Sequence, residues 1–151
     1  MSLTEVTGDL FAVTGLDALA HGVNCRGIMG AGIAVEFKRR WPAMFANYRA
    51  TCDAGLLRLG DILPWHVLGE RHWIYNLATQ VRPGPCAMLS AIDDAVCAMT
   101  THAAAVGVKR IGMPRIGCGL GALRWDDVRP IVAARSGVVE IVVVSLPEKK
   151  R

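Results

Sequence analysis

The sequence predicts an α/β fold, and two observations predict it. Short apolar runs of strand length alternate along the whole 151 residues with longer stretches of helical periodicity, and two glycine-rich segments each lead out of an apolar run into a helical one. A hydrophobic fraction of 52% against 20% charged excludes disorder, because a chain this apolar can offset its ordering entropy by burial. The length suits one domain with a core of its own, spanning residues 1–151, and there are no repeats, low-complexity stretches or linkers to divide it.

Strands are predicted at residues 3–6, 18–24, 61–67, 73–78, 109–113 and 138–144, several unbroken enough in apolar character to be covered on both faces. The first helix starts near Gly32 and puts Ile33, Phe37 and Trp41 on one face, until Pro42 restarts the chain as a second helix to about Asp53, with Gly55 ending it. Within residues 86–106, Met88, Ile92, Val96, Met99 and Ala103 recur at three- and four-residue spacing and form one packed stripe, core filling in character. A last helix runs from Asp126 to about Ala134 and carries its acidic residues in the first turn.

No apolar run is long enough to span a bilayer, and the first fifteen residues carry Glu5 and Asp9 where a signal peptide would be basic and then apolar, so a cytoplasmic chain is expected. The five cysteines, Cys25, Cys52, Cys86, Cys97 and Cys118, lack any CxxC pairing and read as reduced thiols, mostly buried. No metal site or cofactor is expected. A net charge of +4 is compatible with a polyanionic partner, although only residues 38–40 and the tail Lys149, Lys150 and Arg151 cluster, the tail reading as a frayed end.

Chemistry is concentrated in the two glycine-rich turns. Residues 23–34 pass from a strand into a helix through Gly27, Gly30 and Gly32 with no acidic residue, and glycine lets backbone N–H groups approach an anion at a helix N-terminus. Residues 114–121 repeat the arrangement after the strand ending at Met113. Two such loops at the carboxyl ends of parallel strands can grip a diphosphate from opposite sides; the plain alternative is a pair of ordinary connections.

Five segments together resemble the macrodomains. They are Gly8-Asp9-Leu10; Leu19-Ala20-His21-Gly22-Val23-Asn24; Met29-Gly30-Ala31-Gly32-Ile33-Ala34 with Phe37-Lys38; Asn76-Leu77-Ala78-Thr79; and Met113-Pro114-Arg115-Ile116-Gly117-Cys118-Gly119-Leu120. The similarity covers nearly the whole chain and points to the branch that includes terminal ADP-ribose protein glycohydrolase and the DNA ADP-ribosyl glycohydrolase antitoxins. It implies a three-layer α/β/α sandwich around a mixed sheet of about six strands, with ADP-ribose in a cleft over the strand ends. Asp9 would then accept from the adenine amino group beside the Leu10 backbone, its alternative role being a turn cap. Met29 to Ala34, together with Arg115 and Ile116 to Gly121, would cradle the diphosphate and distal ribose. Asn24 and Thr79 would lie beside that ribose, though Asn at a strand end is also a turn former.

The chain departs from the branch at two positions. Relatives place a nucleophilic lysine after the strand-end threonine, where this sequence has Gln80, and human-type members place an aspartate where this sequence has Gly121. An amide cannot form the covalent intermediate. Asp126 and Asp127 read as helix caps, and His21 as a packed, hydrogen-bonded histidine that strand alternation points away from Asn24. His66, His72 and His102 read as surface or edge residues.

Three readings follow. The first is a hydrolase that removes ADP-ribose from DNA bases or acidic side chains by a water held between a substrate phosphate and loop backbone, with Asn24 and Gln80 orienting ribose and leaving group. The second is a non-catalytic reader of ADP-ribose, and the third a phosphatase or deacetylase of small ADP-ribose derivatives. ADP-ribose, and ADP-ribosylated DNA or protein, are the expected partners of a monomer without membrane attachment.

Overall fold

The computed structural model describes residues 3–70 and 72–147, so the basic tail lies outside the described residues. In chain order the elements are β1 (Thr4–Thr7), a 3-10 turn (Leu10–Ala12), β2 (Ala18–Asn24), α1 (Ile33–Arg40), α2 (Pro42–Asp53), β3 (Ile62–His66), β4 (Trp73–Gln80), α3 (Leu89–Val106), β5 (Arg110–Met113), α4 (Trp125–Arg135) and β6 (Glu140–Ser145). They build one mixed six-stranded sheet in the order β1-β6-β5-β2-β4-β3, parallel throughout except for β3 at the edge.

Alternation along the strands divides the core in two. Ala18 and Ala20 of β2 with Ile141 and Val143 of β6 pack under α3 and α4, against Ile92, Val96, Met99, Val128 and Val132. Their neighbours Leu19, Val23, Val142 and Val144 face the other way, against Phe37 of α1 and Met44 and Tyr48 of α2. The result is the three-layer sandwich, and it explains the unbroken apolar runs of the central strands: neither face meets water.

Helix ends follow local chemistry. Trp41 precedes proline and takes φ −129°, which stops α1 one residue short of the predicted face, and Pro42 then occupies the first turn of α2. Helix α3 begins at Leu89, three residues later than the apolar stripe suggests, because the N–H groups of Cys86, Ala87 and Met88 donate instead to Gly84, Gly121 and Thr79 carbonyls. Gly107 closes it in the left-handed conformation at φ 82°.

Candidate active site at the carboxyl ends of the parallel strands

Strands β2 and β5 are neighbours, but β2 leads into α1 on one face of the sheet while β5 leads into α4 on the other. A crevice opens where the connections diverge. It has two chambers. One, of about 560 Å³, is bounded by Asn24, residues 30–34, Thr79, Gln80, Pro83, Gly84, residues 114–117 and residues 119–121; the other, of about 750 Å³, by Gly8, Asp9, Leu10, Phe11, Glu36, Arg40 and residues 144–146. Gly32, Ile33, Pro114 and Arg115 belong to both and form the waist of one continuous cleft.

The first loop is organised by Asn24. Its Oδ1 accepts from the N–H of Arg26 at 2.9 Å and of Ile28 at 3.4 Å, and its Nδ2 donates to the Ile28 carbonyl at 2.8 Å. The Tyr48 hydroxyl, on α2, donates to the Asn24 carbonyl at 2.6 Å and stands 3.1 Å from Oδ1. Both polar atoms of the carboxamide thus serve the turn, leaving one amide hydrogen for a ligand. Gly32 then enters α1 at φ 62°, ψ −150°, a conformation that disfavours any side chain, and no side chain caps the helix. The uncapped N–H groups point their partial charge at the waist.

The second loop is shaped by crowding. Gly117 sits at φ 75°, where a Cβ would meet Ile92 Cδ1 at 2.8 Å. At Gly121 a Cβ would stand 2.6 Å from Ala87 Cβ and 2.8 Å from the Gly117 carbonyl. Ala122 holds φ 66°, costly for a residue with a Cβ, in a turn closed by Ala122 N–H to Gly119 O and Leu123 N–H to Gly117 O.

Gln80 faces Gly121, with its Oε1 3.1 Å from where that Cβ would be. Its Nε2 donates to the carbonyls of Arg82 at 2.7 Å and Gly84 at 3.0 Å, so the amide braces the wall made by Pro83 and Gly84. Thr79 is buried at the floor, its Oγ1 2.8 Å from the position of a Cβ on Gly22.

Most predicted residues therefore line the cleft. Two do not: Met29 is buried with the α1–α2 core, and Cys118 packs half-buried against the α3–α4 core, its thiol directed at the Ile116 carbonyl. Asp9 lines the second chamber and fills the turn-cap role weighed for it, its Oδ1 accepting from Phe11 N–H at 2.9 Å. Phe11, Glu36, Arg40, Pro83 and Gly84 were not expected at the site; of these the Pro83-Gly84 turn carried a local signal and Arg40 stood in a basic cluster. Arg40 stacks over the Phe11 ring at 4.4 Å while Glu36 pairs with both Arg39 and Arg40, which holds the Glu36 carboxyl down at about 2.

Several expectations are corrected. His21 is packed as expected, fully buried, with Nε2–H donating to Asn76 Oδ1 at 2.6 Å and its ring stacked on Phe37 at 3.8 Å. It does not oppose Asn24, however: at the end of β2, where the register with β4 skips Thr79, the Asn24 carboxamide meets Tyr48, which packs in the same helical layer as Phe37. Asp126 and Asp127 lie in the first turn of α4 but cap nothing; Arg124 is the N-cap residue, with no side-chain capping bond, and Asp126 is exposed 3.7 Å from its guanidinium. His72 is half-buried against Trp41, and Tyr75 hydroxyl pairs with His102 Nδ1 at 2.7 Å, so only His66 of the three is exposed. All five thiols are free and half-buried. Burial pushes those of Cys25, Cys52 and Cys118 up, away from the thiolate. Among the described residues no three His, Cys, Asp or Glu side chains gather to hold a metal, and no helix is long and apolar enough to cross a membrane.

A family model described as Macro domain matches residues 20–132. The chain is 31% identical over 149 residues to DNA ADP-ribosyl glycohydrolase of Mycobacterium tuberculosis, which covers 96% of this chain but 42% of that relative; it spans less than half of that protein's length. It is 33% identical over 132 residues to ADP-ribose glycohydrolase OARD1 of Homo sapiens, covering 86% of this chain and 81% of the human one. Among solved structures, the macrodomain of Mycobacterium tuberculosis DarG superposes with a TM-score of 0.88 at 28% identity, over 97% of this chain and 99% of that one.

Proposed function

From a chain that belongs to the macro domain family, we infer an ADP-ribosyl hydrolase that binds ADP-ribose along the two-chambered cleft and releases it from modified macromolecules. The observation that carries this reading is the continuity of the cleft through a waist lined by the uncapped start of α1 and the Arg115 cation. A diphosphate suits that waist, since backbone N–H groups and a guanidinium are its natural partners. Adenosine then occupies the chamber of Asp9, Leu10 and Phe11, and the distal ribose that of Asn24, Thr79, Gln80 and Gly121.

Cleavage of the bond at the distal anomeric carbon passes through an oxocarbenium-like state, in which the leaving group departs with the bonding pair and water adds to the carbon, a proton of that water passing to the leaving group. With an amide at Gln80 and no side chain at Gly121, no residue there forms a covalent intermediate or supplies a carboxylate. The water is held between loop backbone and a substrate phosphate, whose negative charge favours the cation. Asn24 offers its remaining amide hydrogen to the ribose, and Gln80 fixes the wall against which the leaving group sits. The substrates are thymidine-linked ADP-ribose on DNA, ADP-ribose esterified to Asp or Glu on protein, or both, and the chain acts as a cytoplasmic monomer.

The crowding of Gly121 by Ala87 favours a second reading, a module that binds ADP-ribose without turnover. Titrating the protein with ADP-ribose in a calorimeter, then incubating it with ADP-ribosylated single-stranded DNA and with Glu-modified protein, separates them. Micromolar binding and release of free ADP-ribose from either substrate are expected; binding with no release from both selects the reader, and no binding removes the ligand assignment altogether. Asn24→Ala and Gln80→Ala are each expected to slow release, and full rates in both with binding intact would refute their assignment.

A further inference from the structure

Arg115 is the cation shared by both chambers, and among the described residues it is bonded to no carboxylate. What holds it lies outside the cleft. Its guanidinium stands over the Trp125 ring, 5.5 Å from the centroid, within the range where a ring face attracts a cation. Trp125 is the first residue of α4, and its indole Nε1 donates to Glu5 Oε1 at 2.9 Å across to the edge strand β1. The other oxygen, Glu5 Oε2, accepts from Arg129 Nε at 2.9 Å, one turn further along α4.

The chain of contacts has a direction. Glu5 has both carboxylate oxygens occupied, by Trp125 and by Arg129, so it can fix the indole without drawing Arg115 out of the waist into an ion pair. The Arg129 bond above all, joined by Trp125 and the more distant Arg115, keeps the Glu5 carboxyl below the ordinary carboxylate range, so this arrangement persists at neutral pH. The Trp125 ring in turn restricts a long, exposed side chain that would otherwise lose most of its rotamer freedom only on binding.

We propose that Trp125 and Glu5, backed by Arg129, form a seat that presents Arg115 to the diphosphate of the ligand, making them positioning residues for ADP-ribose affinity although neither Trp125 nor Glu5 lines the cleft. The inference rests on the ADP-ribose reading above. The seat acts on the charged middle of the ligand alone, so it distinguishes ADP-ribose from a nucleoside that lacks the diphosphate.

Calorimetric titration with ADP-ribose, and displacement of ADP-ribose by adenosine, test it on the wild type, Arg115→Ala, Trp125→Ala, Trp125→Phe and the Arg115→Ala/Trp125→Ala double variant. Arg115→Ala is expected to weaken ADP-ribose binding by about thirtyfold and Trp125→Ala by about fivefold, with adenosine unchanged in both. The double variant is expected to bind as Arg115→Ala does, because the seat has nothing left to hold. Trp125→Phe keeps a ring face but loses the bond to Glu5, and should fall between wild type and Trp125→Ala; it carries the test if Trp125→Ala does not fold. Wild-type affinity in the Trp125 variants, a parallel loss for adenosine, or losses that multiply in the double variant would overturn the seat. A wild-type protein that binds no ADP-ribose overturns the reading beneath it, a result that no pattern among the variants can imitate.

Discussion

The two glycine-rich loops sit across one cleft and carry similar sequence signals, yet they are held in opposite ways. The first is tied by a side chain: the Asn24 carboxamide bonds three times to residues 26–28 and is itself met by Tyr48. The second is held by missing side chains. Gly117 and Gly121 let the chain close to within contact of Ile92 and Ala87 on the α3 side, and the side-chain bond inside the turn is the weak one from the Cys118 thiol to the Ile116 carbonyl. Gly117 and Gly121 of the second loop thus serve packing between loop and helix, whereas a Cβ on Gly30 or Gly32 of the first would meet nothing nearer than 3.6 Å. The first loop should fail when an atom group is removed, and the second when one is added.

The largest effect expected from that contrast is at Gly121. Gly121→Asp would press a Cβ against Ala87 and the Gly117 carbonyl, both backed by the main chain, and is expected to cost about 3 kcal/mol of stability and to weaken ADP-ribose binding well beyond tenfold. Chemical denaturation and calorimetry read the two losses. Combining it with Ala87→Gly removes the nearest contact but leaves the carbonyl at 2.8 Å, so only part of the stability should return. A Gly121→Asp protein as stable as wild type would mean that the second loop is loose, and the comparison would collapse.

A smaller loss is expected on the other side of the cleft. Asn24→Ala leaves the Ile28 carbonyl and the Arg26 N–H without their partner, at a cost of about 2 kcal/mol by denaturation, with ADP-ribose affinity falling about tenfold as the turn loosens. The Tyr48 bond to the Asn24 carbonyl survives this change, so the loop should be displaced rather than unfolded.

The difference between the loops also marks what the sequence made legible. All six strands were found within two residues of their ends, the central ones because strands covered on both faces leave unbroken apolar runs, and Pro42 fixed the boundary between α1 and α2. The loops themselves were visible as glycine clusters. Their opposite mechanisms were not, because each depends on a partner far along the chain: Tyr48 lies 24 residues from Asn24, and Ala87 lies across the sheet connection from Gly121. The contact of the Asn24 carboxamide with Tyr48 lay outside an argument from strand alternation, which governs the interior of a strand and not its last residue. Arg40 was visible only as part of a basic cluster, and its approach to Phe11 was not, since their stacking is made by tertiary packing and leaves no spacing to read.

The least of the expected effects comes from what lies behind each loop. Behind the first, β2 buries His21 between Asn76 and Phe37, and because Asn76 Nδ2 already donates to the Leu63 carbonyl, its Oδ1 must accept the Nε2–H; Nδ1 then stays buried without a partner. Burial drives the imidazolium pKa down from 6.5 to about 4 against the smaller opposing pull of Asn76. The folded protein therefore keeps the ring neutral where the unfolded chain takes up a proton. This contribution to stability is complete above pH 6.5 and is lost as the pH falls from there toward 4, a window above that in which Glu36, held at about 2, loses its own contribution. Between about pH 7 and about pH 5.5 the wild type should lose about 1 kcal/mol from this group. His72 and His102, also shifted down by burial, add to the slope, so the measure of His21 is the difference from His21→Gln: denaturation curves across this range should flatten in that variant by the stated amount. Gly117→Ala, whose new Cβ would meet the apolar side chains of Ile92, Leu123 and Ala87 first, should lower stability by the same amount at every pH in the range; a pH-dependent loss there would show that the two loops share one electrostatic backing after all.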